Sequence, residues 1–362
     1  MGFFARGEEE DGEHSEALAR IEAGGIPLRA EERLKALGRG ESLFTSGLSV
    51  NEFALLDRMG PQPLAQVMGA SVVRTGWQYL PALPVAPVYV PQGRMGAYGP
   101  TSMGYALNTG FTEPSPAQVR GYKWHTAVVC ELDALTDAWN LARRRALDRL
   151  TEEALQVGAD AVVGVHLHRS DHDLGHGTIE YLVTGTAIRV PGSDGSSFPL
   201  LTDVSVQDYW RLRSAGHEPV GLLATTAVMF ASPPRATRMR RARQFAQNQE
   251  LEEVARAFQA ARDTARAKLL GPVSDAHAAG AVGVEFAHHV HREKLEVASS
   301  LTGAGQRGWR RGRLGIPYRV KGGSDVERPG WVITMHAAGT AIRSGAGRGN
   351  PEVKTTMRIR ST

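Results

Sequence analysis

Four histidines, His166, His168, His172 and His176, crowd one stretch that reads AVVGVHLHRSDHDLGHGTIEYLVTGTAIR from Ala161 to Arg189. Histidines two apart on a strand share a face, so the imidazoles of His166 and His168 can converge on one ion. The turn that follows carries Asp171, His172, Asp173 and His176, donors able to close a coordination sphere. Neutral imidazole with carboxylate suits Zn²⁺, Ni²⁺ or Cu²⁺ better than Mg²⁺ or Ca²⁺. The same residues also make an ordinary polar strand face and hairpin turn, because no fixed motif spacing ties them together.

A second set lies late in the chain: Glu285, His288, His289, His291 and His336. Two basic segments follow another chemistry. Arg235, Arg238, Arg240, Arg241 and Arg243 form one, and Arg307, Arg310, Arg311 and Arg313 bracket Trp309 in the other. Arginine beside an aromatic ring can grip phosphate and stack a base. Against a nucleic-acid partner stand a formal net charge of only +4 and the acids Glu250, Glu252 and Glu253 beside the first cluster. A third segment, residues 78–122, is nearly uncharged and rich in Pro, Gly and Tyr, a composition suited to protein contact.

No reading as an enzyme survives inspection. Gly303-Ala304-Gly305-Gln306-Arg307-Gly308 matches GxGxxG in letters, but no clear strand precedes it and no helix follows. There is no P-loop, no His-Glu-x-x-His and no nucleophile elbow. Cys130, the one cysteine, excludes an intramolecular disulfide and a cysteine-based zinc site; in Ala127-Val128-Val129-Cys130 it reads as a small apolar residue at a strand end. No catalytic or cofactor-binding residue is identified.

The elements that must position these groups are set by a duplication. Leu48-Ser49-Val50-Asn51-Glu52-Phe53 matches Val204-Ser205-Val206-Gln207-Asp208-Tyr209, and the match continues through Gly60/Gly216 and Pro63/Pro219. Each opening reads as a short helix, a glycine turn and an apolar strand, residues 64–73 and 220–230. Long amphipathic helices follow in phase. Leu132, Leu135, Trp139, Ala142, Ala146 and Leu150 have counterparts in Leu251, Val254, Phe258, Ala261, Ala265 and Leu269. The first is expected over 131–157 with Gly158 as its left-handed stop, and the second ends at Gly271-Pro272. Alternation then puts Val163, Val165 and Leu167 against the helix and His166 and His168 opposite. Both copies share the Val-Gly-Val strand start and the Gly-Thr-Ala-Ile-Arg ending, at Thr186 and Thr340 alike.

Gly158-Ala159-Asp160-Ala161-Val162-Val163-Gly164, with the later Gly185-Thr186-Ala187, resembles the signature of the YbjQ-like family of small bacterial proteins. The later copy keeps only the tail of that signature, in Gly280-Ala281-Val282-Gly283, and is degenerate. The resemblance implies an α+β fold of tandem dodecin-like βαββ domains, each a long helix packed on a small, mostly antiparallel sheet. It also implies ring-like assembly of subunits and carries a heavy-metal-binding label.

The expected organisation is a charged N-terminal arm (1–42), a first domain (43–192, insertion 78–122), a second (199–344, Arg/Gly-rich insertion 292–330) and a polar tail (345–362). The expected protein is a cytoplasmic, bacterial, non-enzymatic homo-oligomer serving as a binding or scaffold protein. Its divalent transition metal, Zn, Ni or Cu, would sit at His166, His168, His172 and His176. The alternative is a metal-free assembly module that binds a protein partner through 78–122 and the Arg/Trp-rich insertion. No apolar run reaches the roughly 18 residues of a membrane span.

Overall fold

The computed structural model describes most of residues 15–76, then 127–172, 177–193, 198–243, 250–275, 278–296 and 327–344, with two short strand pairs between. Those pairs are β2 (Val88–Tyr89) with β3 (Phe111–Thr112), and β10 (Trp309–Arg311) with β11 (Pro317–Arg319). The rest of both insertions and the tail lie outside the described residues.

Sheet one has the order β1-β6-β5-β7, from β1 (Gln62–Arg74), β5 (Ala161–His172), β6 (Thr178–Arg189) and β7 (Leu200–Leu201). Sheet two has the order β4-β8-β12-β9, from β4 (Val128–Glu131), β8 (His217–Ser232), β9 (Gly280–Glu296) and β12 (Glu327–Ser344). All pairings are antiparallel except that of β7 with β5. The fold is mixed α+β.

The helices between them are α1 (Leu28–Gly38), α2 (Val50–Met59), α3 (Asp133–Gln156), α4 (Val206–Ser214), α5 (Arg235–Arg243) and α6 (Glu252–Asp275). The short helices start where their sequence demands. Ser49 and Glu52 close a reciprocal capping box on α2, and Ser205 caps α4 through the Asp208 N–H at 3.1 Å. Gly158 stops α3 with φ 67°. α6 runs past the expected Gly271-Pro272 stop to Asp275, because Pro272 lies in the last turn and forfeits only its own N–H bond there.

The alanine stripes of the long helices are fully buried: Ala142, Ala146 and Ala154 on α3, and Ala257, Ala261 and Ala265 on α6. Small residues let a helix settle close to a sheet, and Gly69 of β1 completes that approach. A Cβ added at Gly69 would stand 1.9 Å from the Ala146 carbonyl oxygen.

Sheet two is buried on both faces along its centre. Ala227, Met229 and Ala231 of β8 pack with Ile333 and Met335 of β12 against α6. The alternate residues Val228, Phe230 and Val332 join the core of α3 and sheet one. Period-two alternation thus feeds two cores from one sheet.

The two sheets also exchange strands. β4 leads directly into α3, yet it pairs with β8; β7 leads into α4, yet it pairs with β5. Where β4 ends, side chains of α3 carry on along the β8 edge. The Val228 N–H donates to Thr136 Oγ1 at 3.0 Å, and Asn140 both donates to the Thr226 carbonyl at 2.9 Å and accepts from its N–H at 3.1 Å. An edge that would expose unpaired backbone is closed this way.

Near the N-terminus, Ile26 and Leu34 are buried. Arg33 bonds Glu153 of α3 at 2.8 Å, and the buried Arg149 guanidinium donates to the Ile21 and Ala70 carbonyls.

Candidate functional site

The bulge in β5 decides where the histidines point. Gly164 adopts φ 60°, and the β5–β6 register jumps between Val163 and His166. The same device recurs at Gly283 with φ 65° and a register jump opposite Ala338 and Thr340. Each bulge sits against a glycine of the closing strand. A Cβ at Gly185 would come 2.5 Å from Val162 Cγ1, and one at Gly339 would come 2.9 Å from Val284 Cγ2. The Val-Gly-Val and Gly-Thr-Ala motifs are therefore two sides of one packed bulge.

One extra residue reverses the alternation. Val162, Val165 and Leu167 face α3, while Val163 turns to the opposite side and packs with Leu56, Val206 and Tyr209 of α2 and α4. Strict alternation placed Val163 with Val165; the bulge separates them.

His166 and His168 are exposed beyond the bulge, opposite Thr184 and Leu182 of β6, with ring centroids 6.4 Å apart. His172 is the last residue of β5, opposite Thr178; its side chain, like those of Asp171, Asp173 and His176, lies outside the described residues. Among the described residues no three His, Cys, Asp or Glu side chains converge as a metal cage.

The later histidine set divides. His288 and His289 are exposed on β9, His291 lies 3.8 Å from the Glu293 carboxylate, and His336 is only 7% exposed. His168, His288, His289 and His336 line one cleft of about 480 Å³, together with Trp139, Leu167, Arg169, Ala287 and Thr334. Its walls come from β5 and α3 on one side and from β9 and β12 on the other. His336 Nδ1 bonds Thr226 Oγ1 at 2.8 Å, and its ring meets Trp139 edge to face at 4.9 Å. Burial, reinforced by Arg169, His289 and Arg143, pushes its pKa down to about 3, so this imidazole is neutral.

Sequence inspection assigned these histidines to two separate sets. Nothing in their spacing could have joined them, because the cleft forms only where the two sheets meet.

A second polar junction joins the sheets at Asp203. Its carboxylate accepts a hydrogen bond from the Thr340 hydroxyl, which also bonds Thr202 Oγ1 at 2.8 Å. Burial pushes the Asp203 carboxyl up to about 6, with Glu285 adding to the rise and the Thr340 bond and His166 opposing it. In the corresponding loop before α2 a backbone group takes this role: the Gly47 N–H donates to Thr186 Oγ1 at 3.1 Å. The threonine of each Gly-Thr-Ala motif thus anchors the loop that precedes a short helix.

Cys130 lies half-buried in β4, where burial and then Asp133 push its thiol up to about 11. That setting keeps it protonated and poorly nucleophilic. In the first basic segment, Arg241 is paired with the buried Glu253 at 3.0 Å. The side chains of the Arg307–Arg313 cluster lie outside the described residues.

The family described as "Putative heavy-metal-binding", YbjQ, matches residues 122–191. Residues 122–191 are YbjQ-like. The matched segment spans α3 and the β5–β6 hairpin and includes all four histidines of the early set. An encapsulin nanocompartment protein of Mycobacterium tuberculosis is 28% identical over 292 residues, covering 76% of this chain and 92% of that protein. UPF0145 proteins of Thermosipho africanus (38% identical over 64 residues) and Methanocella arvoryzae (37% over 70) match more locally. They cover 18% and 19% of this chain, and the chain spans 57% of each of them. No solved structure matches. Among the described residues, no helix is long and apolar enough to cross a membrane.

Proposed function

We propose that this chain is a non-enzymatic, homo-oligomeric scaffold or binding protein of a larger protein assembly, built from two YbjQ-like βαββ units. The similarity that runs along 92% of an encapsulin nanocompartment protein carries this reading. The interlocked sheets are consistent with it, since a chain whose halves share strands presents one rigid body to its neighbours. The order β8–α6–β9–β12 repeats β1–α3–β5–β6, and the glycine bulge recurs at Gly283, which supports a second, degenerate unit.

The contact surface we assign is the outer face of sheet one, where Met68 is 41% and Val72 63% exposed. His166 and His168 share that sheet's exposed side, and with His172 and His176 they form the proposed site for Zn²⁺, Ni²⁺ or Cu²⁺. The experiment is native mass spectrometry of the purified protein with metal analysis of the same peak, for wild type and for His166→Ala with His168→Ala. Retained oligomer with lost metal supports both parts; unchanged metal content removes the histidine site, and a monomer removes the assembly. Val72→Lys should break the oligomer if sheet one is the contact.

A further inference from the structure

We propose that the cleft between β5, α3, β9 and β12 is a binding site for a small organic anion that carries a flat ring. This site borders the proposed metal site and the exposed side of sheet one at His168, and its other lining residues belong to neither. Its volume, about 480 Å³, falls in the range of small-molecule sites.

The lining selects the charge. Arg169 brings a permanent guanidinium and His289 an imidazole, and among the described residues no carboxylate lines the walls. A guanidinium fork takes a carboxylate or phosphate through two parallel hydrogen bonds. The cationic surroundings of the buried His336 record the same field, since Arg169, His289 and Arg143 all disfavour a proton on it. An anion entering the cleft would relieve that crowding of positive charge.

The lining also selects the shape. The Trp139 indole, the Leu167 side chain and Ala287 form the apolar part of the wall, and the His289 and His336 imidazoles flank it. His336 is held between Thr226 and Trp139, whereas the His288 ring turns to the opposite face of sheet two, edge to face with Phe258 of α6 at 4.9 Å. The Trp139 and His336 rings are thus held in place before any ligand arrives. With Nδ1 of His336 engaged by Thr226, Nε2 is the nitrogen left to a ligand. A ring carrying one oxyanion satisfies both parts: the oxyanion at Arg169, the ring against Trp139.

Calorimetric titration of the full chain tests this, with phenyl phosphate, benzoate, inorganic phosphate and phenol as probes. At least one ring-bearing anion should bind with one site per chain, more tightly than inorganic phosphate, and phenol should not bind. Arg169→Gln should weaken that binding at least tenfold, and His289→Gln at least threefold. Arg343→Gln, which alters an exposed ion pair with Glu218 away from the cleft, should leave it unchanged. No binding of either ring-bearing anion overturns the proposal, as does binding that Arg169→Gln and His289→Gln both leave intact. Equal affinity for inorganic phosphate would overturn the requirement for a ring. Circular dichroism of each variant separates a lost site from a lost fold.

Discussion

Trp139 of α3 and His336 of β12 meet edge to face with ring centroids 4.9 Å apart, although the two residues belong to different halves of the chain. The contact forms one wall of the inter-sheet cleft and buries a histidine that bonds Thr226. It ties the protonation of a single side chain to the docking of the two halves.

That burial makes stability depend on acid. His336 falls from its ordinary 6.5 to about 3 in the folded chain, so between those values the unfolded chain holds a proton that the native one does not. Its contribution is fully present above 6.5 and is lost as pH falls toward 3. Urea unfolding at pH 7 and pH 4.5 should show a loss with a slope of at most about 1.4 kcal/mol per pH unit from this residue. In His336→Gln, which keeps a partner for Thr226, that part of the slope should vanish.

Asp203 works in the opposite sense. Its carboxyl rises from 3.8 to about 6 on folding, so the native chain binds the extra proton. The contribution is fully present below 3.8 and is lost as pH rises through 6. Asp203→Asn imitates the protonated form and can still accept from Thr340. It should raise stability by about 1–2 kcal/mol at pH 7.5 and by little at pH 4.5, measured by thermal melts at both values.

Gly69 tests the close approach of α3 to sheet one. The Cβ of an alanine there would lie 1.9 Å from the Ala146 carbonyl oxygen and 2.7 Å from the Leu150 nitrogen, and backbone cannot swing aside. Gly69→Ala should cost about 1–3 kcal/mol or more in denaturant unfolding. Gly221→Ala on β8 meets no atom within 4 Å and should be neutral or slightly stabilising.

Glu153 should hold the N-terminal segment on α3. It is only 1% exposed, and it accepts from the Met68 N–H at 2.9 Å and from Arg33 at 2.8 Å. Burial alone pushes its carboxyl upward, and those two donors hold it back. Glu153→Ala leaves the part-buried Met68 N–H without its acceptor and should cost about 1–3 kcal/mol. Limited proteolysis should then cleave within residues 23–41 faster than in wild type, while sheet two stays protected.

The parts legible in the sequence were those governed by near neighbours along the chain. The in-phase apolar stripes of α3 and α6, the short helices that open each copy and the Gly158 stop all express local periodicity and backbone geometry, and each appears at or close to its expected place. The paired Val-Gly-Val and Gly-Thr-Ala motifs were visible as repeats, but their meaning was not. A bulge is a relation between two strands, so only the register across β5 and β6 shows that Gly164 turns Val163 away from Val165.

The sequence by itself determined the αββ order, the faces of the long helices and the exposure of His166 and His168, because each follows from residue periodicity within one element. Tertiary structure alone decided that β4 and β7 cross between sheets, that Asp203 meets Thr340, and that His168, His288, His289 and His336 share one cleft with Arg169. These contacts join residues roughly 40 to 170 positions apart. They depend on which edges and faces the folded sheets leave open to each other, a property of packing that no local pattern encodes.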